Sequence, residues 1–175
     1  MYRMIRRRRR SSETNYLKRV ELVKGGMPRL VVRASNRRIR MQVIEYREQG
    51  DAVLASANSA ELKGFGWEPR GNMPTAYLTG LLLSRKWKGE RVALDIGIAR
   101  PVKGSVVFAA AKGAQDGGMG LLGSIEVSEE RLRGAHIAAY AKEHKERFTA
   151  YAKAGVDPAS IAESFEAAKK KLMSK

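Results

Sequence analysis

Residues 28–46 read PRLVVRASNRRIRMQVIEY, and residues 50–58 follow as GDAVLASAN. In the first run Leu30, Val32 and Ala34 fall on one side of an extended chain, and Arg29, Val31 and Arg33 fall on the other. Asn36 and Arg37 supply a turn. Ile39, Met41 and Val43 then alternate with Arg38, Arg40 and Gln42. After Val43 the phase slips to Ile44 and Tyr46, which predicts a bulge or a strand covered on both faces. Gln49-Gly50-Asp51 make a second turn, and residues 52–58 a third strand. Three such runs joined by short turns predict an antiparallel meander.

The rest of the chain builds outward from that meander. Upstream, residues 14–24 predict a short helix, capped by Thr14 or Ser12 and ended by Gly25-Gly26, with Leu17 and Val20 on one face. Downstream, the glycine-rich stretch 63–72 leads into a helix capped by Asn72, with Pro74 in its first turn. Tyr77, Leu78, Leu81 and Leu82 share one face of it; Thr75, Thr79 and Lys86 occupy the opposite one. Residues 91–96 predict a fourth strand and residues 105–115 a second helix. The order β-β-β-α-β-α predicts an α/β fold, a mixed sheet with helices packed on it. Ile137, Tyr140, His144, Phe148 and Tyr151 recur at helical spacing over 134–153. Asp157-Pro158 opens a last helix with Ile161, Phe165, Ala168 and Leu172 on one face. Three regions are expected: a basic arm over 1–13, an α/β domain over 14–125 and a helical extension over 126–175.

Composition narrows the function. The 175 residues carry 34 Lys and Arg against 18 Asp and Glu, a net +16. Such a surplus favours a polyanionic partner, nucleic acid or an anionic membrane. With no cysteine and two histidines, a disulfide scaffold, a thiolate zinc site, a cysteine nucleophile and a His-rich metal site are excluded. No segment approaches the ~18 consecutive apolar residues of a spanning helix. The basic start lacks an apolar stretch behind it, so neither a secretory nor a twin-arginine signal is expected, and the cytoplasm is the expected compartment.

The charge is concentrated. Residues 1–50 hold 15 basic and 4 acidic side chains. Arg3 and the run Arg6, Arg7, Arg8, Arg9 and Arg10 repel one another and offer nothing to bury, which predicts a disordered arm when alone. A solvated tail is one reading of it. An arm that orders on phosphates is the other, and the exclusive use of arginine favours it, since a guanidinium bonds phosphate oxygens in a planar fork. Arg29, Arg33, Arg38 and Arg40 are expected on one sheet face. The competing reading, an ordinary polar face, is disfavoured because no Asp or Glu occurs from Arg29 to Ile44.

Other chemistry is weaker. Tyr16, Tyr46, Phe65, Trp67 and Trp87 are candidates for base stacking or for plain packing. The glycine stretches 63–72 and 112–123 match neither a P-loop nor a strand-borne GxGxxG. Asp95 and Asp116 form no recognisable catalytic set, and His136 is expected packed or RNA-facing. No metal and no cofactor are expected.

The segments PRLVVRASNRRIRMQVIEY, GDAVLASANSAEL, GNMPTAYLTGLLL, ALDIG, VFAAAKGAQDGG and GAHIAAYA, in this order and spacing, resemble the universal 5S-rRNA-binding proteins of the large ribosomal subunit. That family is the eighteenth of the large subunit in the universal numbering. The match runs from about residue 6 to residue 143, and the long form resembles the archaeal type. The resemblance implies the fold of translational-machinery components and no enzymatic activity. Its implied partners are 5S rRNA, large-subunit rRNA in the central protuberance and neighbouring ribosomal proteins, with no membrane and no small-molecule substrate. It places the family's basic arm on Arg6 to Arg10 and its first-helix contacts on Tyr16, Lys18 and Arg19. The hairpin motif falls on Arg33, Ser35, Asn36, Arg37, Arg38 and Arg40. The loop before the central helix falls on Gly71, Asn72 and Thr75, and a later glycine turn on Lys112 and Gly113.

Overall fold

The computed structural model describes residues 4–11, 13–89 and 91–174. A five-stranded mixed sheet of order β3-β2-β1-β4-β5 forms its centre. Strands β1 (Arg29–Ala34), β2 (Ile39–Glu45) and β3 (Ala52–Asn58) make the antiparallel meander. Strands β4 (Arg91–Asp95) and β5 (Gly120–Leu121) continue the sheet beyond β1 in parallel pairing. Leu30 stands opposite Val43, Val32 opposite Met41 and Ala34 opposite Ile39. One face therefore collects Leu30, Val32, Ile39, Met41, Val43, Ala55 and Ala57, all buried. The β2–β3 register shifts between Val43 and Ile44, where the hydrophobic phase slips. Val43 pairs with Ala55 and Ile44 with Val53, so the extra residue, Leu54, belongs to β3.

Helices α3 (Met73–Lys86) and α4 (Val106–Asp116) cover that face. Asn72 caps α3 by accepting the Thr75 N–H at 3.1 Å, with Pro74 in the first turn. The helix is not amphipathic as expected: every residue from Met73 to Ser84 is buried. The sheet, α4 and the last helix α8 (Ile161–Met173) enclose it from different sides, so even its threonines must find partners inside. Thr79 Oγ1 donates to the Thr75 carbonyl at 2.7 Å. Helix α8 buries Ile161, Phe165, Ala168 and Leu172, the face its spacing marks out. Phe165 sits 5.6 Å from the Tyr77 ring and 6.2 Å from the Trp67 ring.

Several elements depart from expectation. Helix α2 (Tyr16–Lys24) is capped by Asn15, whose side chain accepts the Lys18 N–H; Thr14 lies outside the helix, and Ser12 lies outside the described residues. Leu17 and Val20 on it are exposed. The stretch 134–153 is not one helix. Helix α6 (Ala135–Glu143) ends where His144 leaves helical geometry, a short 3₁₀ turn follows, and α7 (Thr149–Lys153) begins anew. The break lets Tyr140, His144, Phe148 and Tyr151 pack on one another, neighbouring rings lying 4.6 to 6.0 Å apart. Helix α1 (Arg7–Arg10), helix α5 (Glu129–Arg133), β5 and a 3₁₀ helix over Ser59–Phe65 are additions to the expected set. No helix among the described residues is long and apolar enough to cross a membrane.

Candidate nucleic-acid interface

The face of the sheet away from α3 and α4 carries Arg29, Val31 and Arg33 from β1 and Arg40, Gln42 and Ile44 from β2, in the cross-strand pairs Arg29–Ile44, Val31–Gln42 and Arg33–Arg40. Three of the four expected arginines, Arg29, Arg33 and Arg40, lie on this face, with Arg38 in the turn before β2, and they are not equivalent. Arg29 is only 3% exposed. It donates from Nη1 to Asp95 Oδ2 at 3.0 Å and from Nη2 to Asp51 Oδ2 at 2.8 Å. A buried cation so engaged braces the sheet against β4 and the β2–β3 turn. Arg19 reaches the same Asp51 oxygen at 2.8 Å. Arg33 is half committed: Nη1 donates to the Val32 and Asp95 carbonyls, and Nη2 lies 3.4 Å from Asp95 Oδ1. The acidic partners missing from the local sequence arrive from the β2–β3 turn and from β4.

Arg37, Arg38 and Arg40 are exposed and join no salt bridge among the described residues. They surround a tight turn. Ser35 Oγ accepts the Arg38 N–H at 3.1 Å, and the Ser35 N–H donates to the Arg38 carbonyl at 2.9 Å. Asn36 lies exposed at the tip. Gly71 packs under this turn; a Cβ there would run into the Ser35 and Asn36 carbonyls. Gly71 thus serves by close backbone approach, which sets the hairpin against the loop before α3. The result is a rigid projection with unneutralised guanidiniums.

The arm adds a second cationic element. Arg3 lies outside the described residues. Instead of an unstructured run, Arg7–Arg10 form one exposed helical turn, with the Arg10 N–H on the Arg6 carbonyl at 3.0 Å and Ser11 Oγ donating to the Arg7 carbonyl. The turn buries nothing. Arg6 lies over the Tyr16 ring at 4.9 Å, a cation–π contact that ties arm to α2. Arg8 pairs with Glu13 at 3.6 Å, while Lys18 is exposed on α2.

The remaining assignments divide. Asn72 caps α3 and donates from Nδ2 to the Tyr151 hydroxyl at 2.9 Å. Thr75 is 0% exposed; its Oγ1 accepts from Trp67 Nε1 at 2.9 Å and from the Arg70 N–H at 3.2 Å. Its hydroxyl is spent inside the core. Gly113 is buried inside α4, not in a turn, and a Cβ there would strike the Tyr77 carbonyl on α3, as one at Gly80 would strike Ala110. These glycines let α3 and α4 pack backbone to backbone. Lys112 pairs with Asp116 at 3.0 Å.

The two carboxylates weighed for catalysis are occupied. Asp95 anchors Arg29, Arg33 and the Gly97 N–H; Asp116 accepts from the Tyr77 hydroxyl at 2.9 Å. Burial, with the Asp116 bond adding to it, pushes the Tyr77 hydroxyl well above the ordinary tyrosine value of 10.0. Burial also lowers His136, with Arg131 contributing. No group of three or more His, Asp or Glu is placed for a metal among the described residues. The sequence reading missed Asp51 as a functional residue. Its one sign is its place in a turn flanking the basic hairpin.

The family described as ribosomal large subunit proteins 60S L5, and 50S L18, matches residues 1–90. The chain is 44% identical over 185 residues to the large ribosomal subunit protein uL18 of Thermofilum pendens, covering 98% of this chain and 94% of that protein. The protein of the same name from Desulfurococcus amylolyticus is also 44% identical at the same coverage. That of Ignicoccus hospitalis is 42% identical over 186 residues, covering 98% and 91%.

Proposed function

Because the chain belongs to the family of ribosomal large subunit proteins 60S L5 and 50S L18, we propose that it is a structural, non-enzymatic component of the large ribosomal subunit that binds 5S rRNA. It bridges that RNA to large-subunit rRNA in the central protuberance, beside neighbouring ribosomal proteins. The relatives named uL18 and the expected archaeal, cytoplasmic setting support this reading. The element order around the mixed sheet supports the fold of translational-machinery components.

One observation carries the mechanism: the arginines sort into an internally neutralised set (Arg19, Arg29) and an uncompensated set on the hairpin and arm. The first set makes the sheet stiff. The second, Arg37, Arg38, Arg40, Arg6, Arg7, Arg9 and Arg10, faces solvent and neutralises phosphates, with Arg33 and the Glu13-paired Arg8 at the border and Tyr16, Lys18, Ser35 and Asn36 alongside. Affinity comes from phosphate contacts and counterion release; specificity comes from RNA shape presented to a rigid hairpin. Residues 1–13 act as the arm, 14–125 as the RNA-binding body and 126–175 as an extension fastened to it through Phe165 and Tyr151.

Competition in a filter-binding assay tests this. 5S rRNA is expected to displace a labelled 5S rRNA fragment far better than duplex DNA or unrelated RNA does. Equal competition by all three would support a non-ribosomal nucleic-acid binder instead.

A further inference from the structure

A cleft of about 250 Å³ opens on the sheet face between the arm and the strands. We propose that it is a slot for one unstacked purine base of the bound RNA. This rests on the RNA-binding reading above and goes beyond it by naming a base pocket.

The cleft has room for one planar heterocycle. The chemistry selects a base over a phosphate. Asp51, Asp95 and Glu13 line the cleft, and carboxylates repel a phosphate. Of the four arginines that line it, Arg29 and Arg19 are spent on Asp95 and Asp51, while Arg8 and Arg33 each share their charge with one carboxylate of the lining, Glu13 and Asp95. What remains open is of mixed polarity. Asp51 takes both of its hydrogen bonds on Oδ2 among the described residues, leaving Oδ1 as an acceptor for a ring N–H or amino group. Gln42 offers an amide donor and an amide acceptor, the pairing that reads a base edge. Val31 and Ile44 supply an apolar floor for a ring face. Arg29, nine-tenths and more buried in the wall, has an Nε without a partner.

Arg8 and Arg33 are the exposed arginines of the lining, and a backbone held by them lets its base turn into the cleft.

The test uses the full chain and 5S rRNA in which each unpaired purine is replaced in turn by 2-aminopurine, whose fluorescence rises on unstacking. One position is expected to brighten on binding. With Gln42→Trp, which fills the floor of the cleft, that rise is lost and affinity falls at least fivefold, while the salt dependence keeps its slope. Gln42→Ala, too small to clash, lowers affinity less and keeps the signal; thermal unfolding checks that both variants fold. If 5S rRNA binds and no position brightens, or if Gln42→Trp binds as the parent does, the slot is overturned. If the parent chain does not bind 5S rRNA at all, the functional reading falls first and the slot with it.

Discussion

Arg33 and Arg40 stand directly opposite each other on β1 and β2, and among the described residues Arg33 alone of the two has an acidic partner, Asp95. Like charges facing across a ladder destabilise a sheet by about 0.2–1 kcal/mol. The pair is therefore a local cost that the fold bears for its surface. Arg40→Thr should leave stability to urea unchanged or raise it by up to about 1 kcal/mol, while weakening 5S rRNA binding. A loss of stability with intact binding would place Arg40 in the scaffold.

The opposite outcome is expected at Arg29. Arg29→Met takes from Asp51 and Asp95 the buried cation they share, leaving each a single, more exposed arginine, Arg19 for Asp51 and Arg33 for Asp95. Removing one partner of a buried pair costs about 3–5 kcal/mol, so urea denaturation should register a loss of that order. Arg37→Ala, at the exposed turn, should stay within about 0.5 kcal/mol of the parent. Similar losses at both sites would erase the distinction between the two sets.

The arm is read out by salt. Every phosphate that the protein ceases to neutralise lowers the slope of log K against log salt by roughly 0.7–0.9. Replacing Arg6 to Arg10 by Ala should flatten the slope by roughly 3.5 to 4.5 if all five touch phosphate. The melting temperature should hold, because the turn buries no residue. An unchanged slope would remove the arm from the mechanism.

Tyr77 gives stability an alkaline limit. Its hydroxyl is held protonated in the folded chain by burial and by Asp116, so its folded pKa lies above the unfolded value of 10.0. Stability is then complete below pH 10 and declines as the pH rises past it, because the unfolded chain ionises first. Tyr77→Phe should be less steeply dependent on pH above 10 in urea titrations. The same slope in both proteins would assign the alkaline loss to other groups.

The meander was legible because its information is local. Alternation in 28–46 fixes which side chains share a face, while the extra residue of the β2–β3 irregularity, Leu54, lies on β3 outside that stretch. The fate of Arg29 was not legible. Its partners lie 22 and 66 residues away, one in a turn and one at the end of β4, which joins β1 only through a parallel crossover. The same limit applies to Thr75 and Gly113. A hydroxyl or a glycine on a helix has the same local pattern whether it meets solvent or another helix, and only the enclosure of α3 by α4 and α8 decides. The apolar recurrence over 134–153 was real, yet it reports an aromatic cluster folded on itself and not a straight helix.

The docking of Phe165 against Trp67 and Tyr77 has a consequence for the chain while it is being made. At about 5–20 residues per second, the stretch between Trp67 and Phe165 takes on the order of 5 to 20 seconds to synthesise. Throughout that interval the nascent polypeptide displays its arginines above an unfinished interior, greasy beneath and adhesive to any polyanion. Stop codons ahead of the final helix should accordingly yield insoluble product, since what they remove is the stopper that seals the molecule.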